Sequence, residues 1–290
     1  KHYPADAKDK KEKIVHFDRS KVINIEIKSG ATNLAIEKKG DDWFVAGFRA
    51  GPTEVMDYFT SITDLEAERP IPMNTSNRAK VRFGDTDASF ILTLSGPGEY
   101  VRVYVGIKTP GGDSYYVRTS ATTNIYLVDT WKLDRLKKSK DDLRDKTVLR
   151  DLNAGDVTKI EIREGAKALF AATKISNSWR TPLGKKLDPG KMASLASDLA
   201  TLHVDKFVDD GDAAAKYGLG APEYTVLIAA GAESKTLLFK SRKKESDLLF
   251  AVRGNPGVYG LFSYFADKLK IKEQDYLAPA PAVTNAPAKK

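Results

Sequence analysis

Cysteine is absent from this chain of 290 residues, which excludes disulfides, thiolate catalysis and metal sites built on thiolates. Histidine is scarce: His2, His16 and His203 are the three, and no pair stands at the spacing of a zinc or iron site. No apolar run approaches the ~20 residues that a helix needs to cross a bilayer. There is no P-loop and no G-x-G-x-x-G placed between a strand and a helix, so neither device holds a nucleotide here. Charge of one sign is not concentrated. The 47 basic and 39 acidic residues are interspersed for a net charge of +8. A nucleic-acid binder gathers its basic residues on one face or element, so nucleic acid is not an expected partner.

What is present is enough apolar material for ordinary cores: 41% of residues, with twelve Phe and twelve Tyr. The length suits one large or two ordinary domains. An internal repeat favours two. Val22, Ile25 and Ile27 align with Val157, Ile160 and Ile162 at an offset of 135 (157 − 22). Trp43 aligns with Trp179, and Pro52, Val55, Ile62 and Leu65 with Pro189, Met192, Leu199 and Leu202. Phe83-Gly84 aligns with Tyr217-Gly218, and Tyr126, Trp131 and Leu136 with Tyr259, Tyr264 and Leu269. The offset drifts by single residues, as loop insertions and deletions would make it do.

Each half reads the same way. Ile25 and Ile27 alternate with Glu26 and Lys28, the period of a half-buried strand. Turn signals at Ser29-Gly30 and Asp41-Asp42 divide this strand from Leu34–Ile36 and Trp43–Val45, an antiparallel meander with one wet face. Pro52 opens a helix with the stripe Val55, Tyr58, Ile62 and Leu65, which Arg69-Pro70-Ile71-Pro72 is expected to end. Strands follow at 90–94, 100–105, 115–118 and 125–128, then a short helix capped by Asp129 and carrying Trp131, Leu133 and Leu136. The second half retraces this with a strand at 157–163, Trp179, a helix behind Asp188-Pro189 and strands at 225–229, 236–240 and 248–252. A last helix lies near 263–269.

Trp179, the helix at Asp188-Pro189, the stretch Lys206-Phe207-Val208 and the segment Lys216-Tyr217-Gly218-Leu219-Gly220-Ala221-Pro222 carry a family resemblance. They resemble the bacterial domain-of-unknown-function family DUF4340, in which a tryptophan closes an early meander and a YGL-x-x-P segment leads into a strand. The second half matches this pattern, and the first matches as a degenerate copy with Phe83-Gly84-Asp85 in place of Tyr217-Gly218-Leu219. The resemblance implies one N-terminal membrane helix, an extracytoplasmic region and a place beside ABC-type exporters of the gliding-motility-associated kind. It implies no established enzymatic activity. The charged stretch KHYPADAKDKKEK, which begins at Lys1 rather than Met, is then expected to be the stalk behind such an anchor.

The groups that bear chemistry are few. His203 with Asp205 and a serine would sketch a triad, but a helix-end histidine beside a surface acid explains the pair more simply. Asp209-Asp210-Gly211-Asp212 has half of a calcium loop, with Lys216 and Tyr217 in the region of the required glutamate. Asp85 and Asp87 are a weaker case of the same. Gly96-Pro97-Gly98 and Gly218-Leu219-Gly220 each lead into a strand and read as turns. The basic runs Lys8–Lys13 and Lys240–Lys244 read as solvated faces, the first with some attraction for anionic lipid if an anchor precedes it. Trp43, Trp179, Tyr115, Tyr116 and Tyr259 would suit a sugar-binding surface, yet aromatics in strands are more often core pairs.

The expectation is therefore an α+β protein of two tandem homologous repeats, each an antiparallel β-sheet with one main packed helix and a short terminal helix. The divisions are 1–13 charged stalk, 14–150 first repeat, 151–277 second repeat and 278–290 Ala/Pro-rich disordered tail. No residue is assigned a catalytic, cofactor-binding or metal-ligating role. The expected function is a non-enzymatic, extracytoplasmic, membrane-tethered accessory or scaffold domain for an ABC-type transport system. It would sit in the periplasm, anchored to the inner membrane, with a protein partner. A module that binds envelope carbohydrate or peptide is the alternative, and an uncharacterised enzyme the third.

Overall fold

Alternating apolar residues and two-residue turns build an antiparallel sheet in each of two units, Lys1–Asp145 and Lys146–Lys290. The computed structural model describes residues 11–68, 70–73, 77, 80–209, 213–242, 247–255 and 257–279. Most of the expected stalk, His2, Arg69, Asp210-Gly211-Asp212, Lys243-Lys244 and the tail from residue 280 lie outside the described residues.

In unit 1, β1 (Glu12–Lys13) is followed by β2 (Asn24–Ser29), β3 (Thr32–Lys39), β4 (Asp42–Val45) and β5 (Phe48–Arg49). The helix Pro52–Thr63 and β6 (Glu66–Ala67) come next, then β7 (Phe90–Gly96), β8 (Glu99–Lys108), β9 (Ser114–Thr119) and β10 (Tyr126–Asp129). The sheet runs β10-β9-β8-β7-β2-β3-β4-β5, antiparallel throughout. Ala46 and Gly47, both at positive φ, form the two-residue turn between β4 and β5, a backbone twist that matches a hairpin. Ile25, Ile36, Val103 and Val117 share one buried cluster with Val55, Tyr58 and Ile62 of the helix stripe. Tyr58 keeps its hydroxyl satisfied by donating to the Leu136 carbonyl at 3.0 Å. Burial raises the pKa of this phenol.

Unit 2 holds β11 (Val157–Glu164), β12 (Lys167–Ile175), β13 (Ser178–Arg180), the helix Pro189–Ala200 and β14 (Lys206–Val208). The short helix Ala213–Lys216, β15 (Tyr224–Ala230), β16 (Glu233–Arg242), β17 (Asp247–Val252), β18 (Val258–Phe262) and the helix Phe265–Leu269 complete it. The sheet order is β13-β12-β11-β15-β16-β17-β18-β14. Asp188 caps the main helix as its sequence position suggests, accepting from the backbone N–H groups of Gly190 at 2.9 Å and Lys191 at 3.0 Å. Trp179 is buried, and the helix buries Met192, Leu195 and Leu199.

Several local expectations are corrected. The Pro52 helix ends at Thr63, before the prolines, because the chain turns at Asp64 and extends to pair Glu66 and Ala67 with Lys13 and Glu12. Those two N-terminal residues, expected in the stalk, thus belong to the folded unit. The helix after Asp129 spans Thr130–Asp134 and leaves Trp131 58% exposed. Its inward side carries Leu133 and Lys132, whose ammonium reaches Glu66 at 2.9 Å. The Asp129 carboxylate accepts from Lys11 and makes no cap bond. In unit 2, β18 forms where no strand was expected, although Val258-Tyr259-Gly260-Leu261 carries strand-forming residues.

Candidate interaction surface

Most of the candidates from the sequence have structural employment. His203 is exposed and bridges Thr147 through the backbone. Asp205 accepts from the Phe262 N–H at 2.9 Å, so its carboxylate ties the start of β14 to β18. His16 is exposed. Asp87 accepts from the Gly84 N–H, and Asp85 pairs with Arg102. No group of three or more His, Cys, Asp or Glu positioned to hold a metal ion occurs among the described residues. Lys11 pairs with Asp129, and Lys240 donates to the Ala221 carbonyl. Gly96 closes the β7–β8 hairpin, and a side chain there would strike the Lys21 carbonyl. Of the five aromatics, Trp179, Tyr115 and Tyr259 are buried, and Trp43 packs edge-on against Phe59 at 5.7 Å. Tyr116 alone lies on an outward face.

The Tyr217–Pro222 segment is built as a plug. Tyr217, Gly218 and Leu219 donate their backbone N–H groups to Ala213, Ala215 and Ala214, which closes the short helix. Gly218 takes φ +70°, the left-handed conformation that such a stop requires of glycine. This aims Leu219, 1% exposed, into a separate cluster with Leu249, Ala251 and Val258 on the face of β16–β18 turned away from the Pro189 helix. The Tyr217 ring lies 5.0 Å from the Arg242 guanidinium. Arg242 in turn holds Asp247 in a fork at 2.8 and 2.6 Å, and Lys206 reaches the same carboxylate. Arg242 first, then Lys206, keep the Asp247 carboxyl below the ordinary aspartate range. The motif is thus a stack and a plug on the outer face of β16–β18.

The outer face of the unit 1 sheet is different. Along β8, Val101, Val103 and Val105 point inward, and Tyr100, Arg102 and Tyr104 point outward. On β9, Tyr116 and Arg118 share that outward face. Registry sets Arg118 opposite Tyr104, Arg102 opposite Thr93, and Leu127 of β10 opposite Tyr116. Arg102 is neutralised: it pairs with Asp85 at 3.0 Å and donates to Thr93 at 3.1 Å. Arg118 sits 4.3 Å from the Tyr104 ring and 5.9 Å from Phe83. No described residue offers it a carboxylate or accepts a hydrogen bond from its guanidinium. Tyr100 is 55% and Leu127 40% exposed. The period-2 pattern Tyr-Val-Arg-Val-Tyr was visible in the sequence as a strand. What it presents depends on which segment covers it.

A second depression on the same side, about 510 Å³, lies over β3 and β4 and is lined by Asn33, Ala35, Glu37, Lys39, Phe44 and Gly47. Its charges pair with each other, Lys39 with Glu37 at 3.4 Å. Among known proteins, residues 45–222 match the family described as Domain of unknown function (DUF4340). The match is one span that begins in β4 of unit 1 and ends at Pro222, the last residue of the plug. No curated protein and no solved structure matches the chain.

Proposed function

The chain belongs to the DUF4340 family, and from that premise we propose that it is a non-enzymatic accessory or scaffold protein whose unit 1 holds a protein partner. On this reading the protein works outside the cytoplasm, tethered by an upstream helix, and the partner belongs to an ABC-type transport system. The two units are copies of one module. Supporting the duplication, β7, β8 and β9 have the same lengths as β15, β16 and β17, at offsets of 134, 134 and 133 (224 − 90, 233 − 99, 247 − 114). The strand order from β4 across to β10 also repeats from β13 across to β18.

The observation that carries the reading is the contrast between the two outer faces. At these offsets Tyr104, Tyr116 and Arg118 stand where unit 2 has Leu238, Leu249 and Ala251. In unit 2 those apolar side chains are sealed by Leu219 and its neighbours. In unit 1 the same positions carry tyrosine and arginine, the residue types enriched at protein–protein contacts. Phe83 stands over Arg118 as the counterpart of Tyr217, and Asp85, bound to Arg102, stands where unit 2 buries Leu219, so the unit 1 segment meets its sheet through charge and rings rather than through leucines. The depression of about 510 Å³ beside Phe44 favours a second reading, a site for envelope carbohydrate or peptide.

The test is photo-crosslinking from position 100 or 116 in the full-length gene product, expressed in its native host and fractionated. The expected result is a membrane-associated protein crosslinked to a transport-system component. Recovery of the full-length protein in the cytosol, or crosslinks that never reach a transport component, would refute the proposal.

A further inference from the structure

We propose that the Arg118 face of unit 1 takes an acidic peptide segment, with one Asp or Glu carboxylate of the partner seated on the Arg118 guanidinium. This rests on the reading of that face as a docking surface and names the chemistry that would recognise it. Two arginines and one carboxylate meet here. Asp85 satisfies Arg102, which leaves Arg118 as the charge without a counter-ion among the described residues. Ring contacts engage the flat faces of a guanidinium, so its N–H donors, which lie in the plane, remain for a ligand. A carboxylate matches that fork with two parallel bonds. The rings of Tyr104 and Phe83 hold Arg118 in place before any ligand arrives, which lowers the ordering cost of binding.

The surroundings specify a peptide more than a bare anion. Tyr116 and Leu127 lie on one side of Arg118, and Tyr100 stands two positions from Arg102 on β8. These surfaces suit apolar or aromatic side chains that flank a carboxylate. The chain's net charge of +8 favours approach of an acidic partner. β8, β9 and β10 lie side by side at a spacing of about 4.8 Å, with Tyr100 and Leu127 exposed on their outward face to meet the side chains of such a segment.

The experiment titrates the 290-residue protein against a fluorescein-labelled peptide in which Glu alternates with Phe or Val, read by anisotropy. A Gln-for-Glu peptide, an oligogalacturonate and a single-stranded oligonucleotide serve as competitors. The acidic peptide is expected to bind, and Arg118→Gln to weaken it about tenfold or more, the loss for one charge-assisted contact. Arg118→Lys is expected to restore only part of the affinity, because it keeps the charge without the fork. Tyr100→Ser, at an exposed position that does not threaten folding, is expected to weaken binding several-fold, and Lys167→Gln in unit 2 to leave it unchanged. Undiminished binding by Arg118→Gln and Tyr100→Ser, or equal binding of the Gln peptide, would overturn the proposal. So would tighter binding of the uronate or the oligonucleotide. A peptide that binds through Arg118 while crosslinks in cells find no transport component would sink the proposed function and leave this inference standing. A crosslinked transport component whose capture ignores Arg118 would do the reverse.

Discussion

Leu219→Ala isolates what the Tyr217–Pro222 segment does for unit 2. Leu219 is 1% exposed and closes a cluster whose other buried members are Ala213, Leu249, Ala251 and Val258. Truncating a buried leucine costs about 2–5 kcal/mol, by how far the neighbours relax into the space. Here the cluster is small and its cover is a helix of four residues, too short to hold without tertiary support. Partial collapse therefore places the expected cost near the middle, about 3 kcal/mol. For a unit of this length, 1 kcal/mol moves the midpoint by about 3 °C, so the melting temperature should fall by roughly 10 °C. Trp179 is the single tryptophan of unit 2, with Trp43 and Trp131 in unit 1. Its fluorescence in a Trp43→Phe, Trp131→Phe background reports this unit directly. A shift below about 2 °C would mean that the motif seals nothing, and the contrast between the two outer faces would lose its basis.

Asp188→Ala removes a cap with two backbone bonds and should cost unit 2 about 1 kcal/mol, measured as a change in denaturation midpoint. Tyr58→Phe should cost about 1 kcal/mol in unit 1, because it removes the 3.0 Å bond to the Leu136 carbonyl, which keeps the Lys138 N–H at 2.9 Å. A midpoint unchanged within error would show that the Lys138 N–H alone satisfies this carbonyl and that the phenol bond adds nothing. Gly96→Ala should destabilise unit 1 by at least about 1–3 kcal/mol, since its Cβ would meet the Lys21 backbone and no rotamer relieves that. Asp247 has a depressed pKa in the folded state, so the stability it supplies is present above the unfolded aspartate value of about 3.9 and is lost as pH falls through the folded value. Urea midpoints of the wild type and Asp247→Asn should therefore differ at pH 7 and converge below about pH 4. A gap that stays constant with pH would show that the carboxylate is not the stabilising group.

Local chemistry determined the elements. Pro52 and Pro189 start helices because a missing N–H costs nothing at the first position, and Asp188 caps because its carboxylate reaches the next free N–H groups. Alternation of Val101, Val103 and Val105 with Tyr100, Arg102 and Tyr104 requires a strand with one buried side. These are short-range facts, and the residues themselves carry them. Tertiary structure decided what each outward side chain meets. Arg102 finds Asp85 from a loop seventeen residues away, and Arg118 finds two rings but no acid. Leu249 and Ala251 are sealed because a left-handed glycine at Gly218 turns Leu219 onto them. Trp131 is exposed because its five-residue helix spends its inward side on Lys132 and Leu133. A strand's pattern records only that one side is polar. Whether that polar side is paired, covered or left exposed depends on segments distant in sequence, and the candidate site lies where Arg118 meets rings and no carboxylate of the described residues.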